Sequence, residues 1–246
     1  MKKFGLIGFP LTHSFSQNFF SQKFEKEKIN ASYHLYPIED ISKILTLIHE
    51  NKNLYGLNVT IPYKEAVIPF LNKLDDTAKE IKAVNVIKIE REEENIKLVG
   101  YNSDIIGFQD SLEPLLNKKH KKALILGTGG AAKGVAYVLK KLNIDFSFVS
   151  RNKKDKQFTY EDLNADIINE HLLIINASPL GTFPETKVCP NIPYQYINKN
   201  HLLYDLIYNP EKTLFLQKGE IAEAQIKNGL EMLHKQALAA WKIWNK

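Results

Sequence analysis

The stretch "ALILGTGGAAKG", residues 123–134, decides the fold. Four apolar residues read as a buried strand, Gly127 and Gly129 open a turn, and the alanine-rich run that follows reads as a helix. In that order each small residue has a task. Gly127 permits the tight turn, Gly129 lets the backbone approach a pyrophosphate, and Ala132 allows the helix to pack closely on the strand. Amides at the start of the helix then hold phosphate oxygens. A glycine pattern alone is a weak signal, because a plain turn has the same composition. Its place between a strand and a helix favours a Rossmann unit.

Working outward, the next strand, "DFSFVS" (145–150), runs into Arg151, with Lys153 and Lys154 close by. An NAD site usually carries Asp or Glu about 20 residues after the glycines, to hold the ribose hydroxyls. No acid stands there. Ser150 and Arg151 suit a 2′-phosphate instead, since a guanidinium matches phosphate geometry and a carboxylate would repel it. NADP is therefore favoured over NAD, the alternative being a basic surface loop. Further strands are expected in "HLLIINASP" (171–179) and "HLLYDLIY" (201–208), with helices over 131–142 and 229–244.

Before this unit the chain alternates again: strand "FGLIG" (4–8), helix 17–28, strand "SYHLYPI" (32–38), helix 40–50, strand "YGLNVT" (55–60) and a short helix from Pro62. Alternation of this kind predicts an α/β protein with parallel strands covered by helices. An amphipathic helix over 101–116 joins the two halves, with Asp104 as its N-cap or as a carboxylate partner for another group. At 246 residues the chain exceeds the usual single domain of roughly 100–200 residues.

Bulk composition excludes several classes. The formal charge is +5, but residues 1–102 carry 14 basic against 13 acidic residues, and the remainder 19 against 15. A nucleic-acid binder concentrates its basic residues on one face, whereas the one dense cluster, "NKKHKKA" (117–123), reads as a solvated loop. The single cysteine, Cys189, leaves no internal disulfide and fits the cytoplasm, and no Cys/His spacing suggests a metal. No apolar run approaches the roughly 18 residues that span a bilayer, so a soluble protein is expected.

"NVTIPYKE" (58–65) holds the sharpest chemical hint. With Pro62 at the first helical position, Lys64 falls in the first turn, where exposed amides disfavour a cation by roughly 0.3 to 1 kcal/mol. Such a place lowers a lysine's pKa and prepares the amine to exchange protons near neutrality; the alternative is an ordinary surface lysine. Polar residues at strand ends favour chemistry. Asn58 and Thr60 end one strand, Asn85 interrupts "AVNVIKI", and "HSFS" (13–16) offers Ser14 and Ser16 after the first strand. Open α/β sheets bind ligands beyond the carboxyl ends of their strands. Ser16 is also a candidate N-cap for the helix that follows, and Phe15, Phe19, Phe20 and Phe24 in that helix read as core. His13 reads as a structural hydrogen-bonding group.

With these residues assembled, the chain resembles the shikimate dehydrogenase family over essentially its whole length. "GFPLTHSFS", "NVTIPYKE", "AVNV", "GYNSD", "GTGGAAKG" and "GLEMLHKQALAAW" agree in order, with "NASPLG" and "DLIYNPEKT" in support. The resemblance implies reversible NADPH-dependent reduction of 3-dehydroshikimate to shikimate, in aromatic amino-acid biosynthesis. It implies an N-terminal α/β substrate domain (1–102, with the C-terminal helix 229–246) and a Rossmann-like NADP-binding domain (103–228), facing each other across a cleft. Lys64 and Asp104 would be the catalytic pair, and Ser14, Ser16, Thr60, Asn85, Tyr208 and Gln236 the substrate contacts. Gly127, Gly129, Gly130, Ala131, Ser150, Arg151, Asn176, Leu206, Gly229 and Asp76 would bind NADP(H). The chain departs from the family pattern at Gln17, Lys82, Val86, Ser103, Ile105, Ser178 and Thr182, none of which is a reacting group. A monomer or a homodimer is compatible with the resemblance. The rivals are a relative that oxidises quinate or uses NAD, and a dinucleotide-binding regulator without turnover.

Overall fold

A computed structural model describes residues 1–11, 14–92, 95–152 and 157–246, so His13, Lys153 and Lys154 lie outside the described residues. The chain forms two units, Met1–Ile106 with Gln236–Lys246, and Gly107–Lys235. Each has its own six-stranded sheet and its own core.

The first unit contains β1 (Lys2–Gly8), α1 (Phe15–Lys26), β2 (Ala31–Pro37), α2 (Ile44–Glu50), β3 (Leu54–Val59), α3 (Tyr63–Ala66), β4 (Lys73–Leu74), α4 (Asp76–Ile81), β5 (Val86–Glu92) and β6 (Asn95–Tyr101). The sheet order is β2-β1-β3-β5-β6-β4. β1 runs parallel to β2 and β3, whereas β5 is antiparallel to both β3 and β6. The expected all-parallel sheet is therefore mixed. β5 returns directly into β6, with Glu92 opposite Asn95, and so short a connection permits only antiparallel pairing.

α1 starts at Phe15 because Ser14, in extended conformation, accepts a hydrogen bond from the Gln17 amide. Ser14 thus takes the capping place foreseen for Ser16, which lies inside the first turn. Phe20 and Phe24 of this helix are buried, and Phe15 and Phe19 pack partly buried against the same cluster. The Phe20 ring stacks on Tyr33 with centroids 4.9 Å apart, and Phe4 stacks on Trp244 at 4.8 Å. Aromatic pairs in such geometry add about 0.5–1.5 kcal/mol each beyond the area they bury. Trp244 also donates from its indole to the Ile87 carbonyl at 3.1 Å, which ties the last helix to β5.

The second unit contains β7 (Lys122–Leu126), α6 (Gly130–Lys141), β8 (Asp145–Ser150), β9 (Phe158–Thr159), α7 (Ala165–Glu170), β10 (Leu173–Asn176), β11 (Leu202–Asp205), α8 (Leu214–Ile221) and β12 (Gln225–Lys227). All pairs in its sheet, ordered β12-β11-β10-β7-β8-β9, are parallel. β7 to β9 build outward on one side, and the chain then crosses to place β10 on the other side of β7. The resulting switch point between β7 and β10 is where open α/β sheets hold ligands. The four residues of "ALIL" are fully buried, and α6 covers the sheet with Ala132, Val135, Val138 and Leu139.

Two helices carry the chain across the unit boundary: α5 (Ser103–Leu112), and α9 (Leu230–Trp244). No helix of the described residues is long and apolar enough to cross a membrane.

Candidate active site

In the first unit a polar network lies at the carboxyl ends of the parallel strands. The Lys64 ammonium donates to the Asp104 carboxylate at 2.6 Å. The two side chains are 35% and 22% exposed, so the pair remains open to a ligand. α3 is a single turn of four residues, with Pro62 as its cap position and not its first helical residue. The reason for a cation here is therefore Asp104, since so short a helix provides little dipole.

Backbone bonds hold both partners in place. The Lys64 carbonyl accepts from the Val84 amide at 2.8 Å, and the Tyr63 hydroxyl donates to the Ile38 carbonyl at 2.6 Å. Asp104 does not cap α5. That task falls to Asn102, whose carboxamide oxygen accepts from the Ile105 amide at 3.3 Å while its Nδ2 donates to the Ala83 carbonyl at 3.0 Å. With the cap supplied by Asn102, the Asp104 side chain is available to Lys64.

Asn85, 5% exposed, stands just ahead of β5 and does not interrupt it. Its Oδ1 accepts from the Ser103 amide at 2.7 Å, and its Nδ2 donates to the Ser103 hydroxyl at 3.1 Å. Its carbonyl accepts from the Val59 amide and from Asn58 Nδ2. Asn58 in turn receives the Tyr33 hydroxyl at 2.8 Å. Burial pushes the Tyr33 phenol well above its ordinary range, so it stays a donor. Tyr33, Asn58, Asn85, Ser103, Asp104 and Lys64 thus form neighbouring links. Thr60 follows β3, with its amide bonded to the Ile7 carbonyl at the end of β1, the edge from which the chain runs on to Ser14.

Gln236, the first residue of the returning segment of this unit, has its side-chain oxygen buried with no hydrogen-bond partner among the described residues. An orphaned acceptor costs about 1–3 kcal/mol, which a polar ligand would recover. Asp76, exposed in the first turn of α4, also belongs to this unit. Among the described residues no group of three or more His, Cys, Asp or Glu could hold a metal ion.

In the second unit the glycine loop has the form a dinucleotide requires. Gly127 has φ +118°, a conformation that side chains rarely adopt. Cβ atoms added at Gly129 and Gly130 would meet nothing within 4 Å, so space lies open where α6 begins. Ala131 follows in the first turn, and the first turn of the twelve-residue helix contains no acidic residue. β8 ends at Ser150, and Arg151 beyond it is exposed. These residues fit a phosphate-bearing nucleotide.

At the carboxyl ends of β10 and β11, buried Asn176 donates to the Asp205 carboxylate at 3.0 Å. Burial raises Asp205 to about 6, against hydrogen bonds from Thr213, Ile207 and Asn176 that pull it down. Gly229 presses so closely on Leu206 that an added Cβ would fall on its carbonyl oxygen. Tyr208, exposed, lies just beyond. Asp205 and Tyr33 were not among the expected site residues. An acid inside the apolar run "LLYDLIY" was the available signal for the first, whereas Tyr33 reads as any strand aromatic.

A family model described as the shikimate dehydrogenase substrate binding domain matches residues 6–87. A shikimate dehydrogenase (NADP(+)) of Methanococcus maripaludis is 36% identical over 263 residues, spanning 99% of this chain and 91% of its own. The crystal structure of shikimate dehydrogenase from Aquifex aeolicus is similar with a TM-score of 0.85 at 34% identity, covering 100% of this chain and 92% of that one. Shikimate 5-dehydrogenase from Thermus thermophilus, solved with NADP(H) and shikimate, is similar with a TM-score of 0.84 at 25% identity, covering 99% and 93%.

Proposed function

The chain belongs to the shikimate dehydrogenase family, and from that premise we propose that it catalyses the reversible NADP(H)-dependent reduction of 3-dehydroshikimate to shikimate, in aromatic amino-acid biosynthesis. The observation that carries this reading is the Lys64–Asp104 pair at 2.6 Å within the Asn85–Ser103 network. A partly exposed ion pair is worth about 0–1 kcal/mol of stability. Stability is thus a weak reason for so much local scaffolding, and chemistry is a stronger one.

When bound, NADPH supplies a hydride to the C3 carbonyl carbon. The Lys64 ammonium donates a proton to the oxygen that becomes the hydroxyl, and solvent then restores that proton. Asp104 accepts the ammonium's hydrogen bond, which fixes its direction. Ser14, Ser16, Thr60, Asn85, Tyr208 and Gln236 provide hydroxyl and amide contacts for the ring hydroxyls and carboxylate. Gly127, Gly129, Gly130 and Ala131 would hold the pyrophosphate through backbone amides. Ser150 and Arg151 would hold the 2′-phosphate, and Asn176, Leu206 and Gly229 the nicotinamide end. In this reading Met1–Ile106 with the closing segment is the substrate-binding unit, and Gly107–Lys235, which also carries Tyr208, is the NADP-binding unit. The half-buried free Cys189 suits a reducing cytoplasm.

Initial rates of cofactor reduction with shikimate or quinate, each paired with NADP or NAD, test the reading. Shikimate with NADP is expected to be fastest. A preference for quinate or for NAD would replace the assignment with the quinate-oxidising one, and no turnover with either acid would leave a dinucleotide-binding protein.

A further inference from the structure

Asp205 is a fully buried carboxylate whose partners among the described residues are all uncharged. A buried acid without a cation is disfavoured in a core, so its presence asks for a task. Its Oδ1 accepts from Asn176 Nδ2 at 3.0 Å and from the Ile207 amide at 3.1 Å, and its Oδ2 accepts from the Thr213 hydroxyl at 2.5 Å. Asn176 passes this constraint on. Its Oδ1 accepts from the Ser178 amide at 3.1 Å and the Ser178 hydroxyl at 2.6 Å, and its carbonyl accepts from the Leu206 amide at 3.1 Å. The Ile207 carbonyl in turn accepts from the Gly229 amide at 3.0 Å. One carboxylate therefore sets the backbone of both loops that leave β10 and β11 at their carboxyl ends. The first of these loops borders the switch point, where the space for a Cβ on Gly127 is closed by the Ala177 carbonyl.

We propose that Asp205 is a positioning residue for the dinucleotide: without touching the cofactor, it fixes the loops at 176–181 and 205–208 in the arrangement that the nicotinamide end requires. This rests on the reading that NADP(H) binds the second unit.

Titration of NADPH by its fluorescence, without substrate, gives a readout independent of turnover. Asp205→Ala is expected to bind about tenfold more weakly or worse, the scale of a lost hydrogen bond to a charged group. Shikimate affinity in the absence of cofactor is expected to change less than NADPH affinity, since Tyr208 alone of these loops is among the proposed substrate contacts. Asp205→Asn, which keeps an oxygen for Asn176 and Ile207, is expected to recover most of the affinity, a rescue that loss of global structure would not show. A folded Asp205→Ala chain that binds NADPH as tightly as the unmodified protein overturns the proposal. Should that variant not fold, Thr213→Val leaves Asp205 in place and removes the hydroxyl that holds its Oδ2. A loss of NADPH affinity of about fivefold, the scale of one hydrogen bond, is then expected, and unaltered affinity overturns the idea. If the unmodified chain itself fails to bind NADPH, the cofactor reading falls and this proposal falls with it.

Discussion

In the proposed reading, Lys64 and Asp104 carry the reaction and Arg151 selects the cofactor. Lys64→Ala is expected to lower turnover by about 10² to 10⁴, the usual contribution of a general acid, with NADPH affinity nearly unchanged; single-turnover rates and a separate cofactor titration check both halves. Arg151→Ala is expected to raise the KM for NADPH by about tenfold or more, while leaving that for NADH alone, because only a 2′-phosphate needs the guanidinium. Equal effects on both cofactors would assign Arg151 to another part of the nucleotide. At this scale the sequence was readable where polarity and position conflict, as with Lys64 beside a strand end and Asn85 among valines. It was not readable where several residues compete for one task. "HSFS" and "YNSD" each contain more than one capping residue, and only the extended backbone at Ser14 and the reach of Asn102 to the Ile105 amide settle which one caps. Pairings distant in sequence, such as Tyr33 with Asn58, leave no local trace.

Among the elements, the glycine loop separates folding from binding. A Cβ at Gly129 meets no atom within 4 Å, so Gly129→Ala is expected to change stability by less than about 0.5 kcal/mol. NADPH affinity should nonetheless drop as the methyl enters the phosphate space. Gly229→Ala places its methyl on the Leu206 carbonyl and is expected to destabilise the fold by about 1–3 kcal/mol. Urea unfolding beside cofactor titration compares the two, and a Gly129→Ala chain that binds normally would refute the assigned role of the loop. The β7–α6–β8 segment was legible because a continuous apolar run, a glycine turn and an alanine-rich helix all agree. β5 and β6 were harder: charged residues, as in "IEREEENIK", dilute the apolar alternation, and their antiparallel pairing broke the expected pattern. β4, β9 and β12 span only two or three residues, too few for any period to register.

For the molecule as a whole, pH acts on the second unit in two opposite ways. His120 is buried, its Nδ1 accepts from the Asn117 amide at 3.2 Å, and burial lowers its pKa below the ordinary 6.5. The unfolded chain therefore binds a proton more readily, and stability declines as pH falls below that value. Asp205 has the reverse sign. Raised from 3.8 to about 6, it takes up a proton in the folded state first, which adds stability as pH falls from 6 toward 3.8. Asp205→Asn removes this uptake, so its stability is expected to fall more steeply than that of the unmodified protein between those values. Parallel urea-denaturation curves across that window would refute the assignment. The division of the chain has a further consequence for its synthesis. Trp241 and Trp244 complete the aromatic cluster around Phe4, Phe20 and Phe24, yet they lie in the returning segment that follows Gly107–Lys235. On the ribosome, the unit begun first must wait with an open hydrophobic face until the second has been translated in full. Turns made after the second unit then close a core whose other half was translated before it.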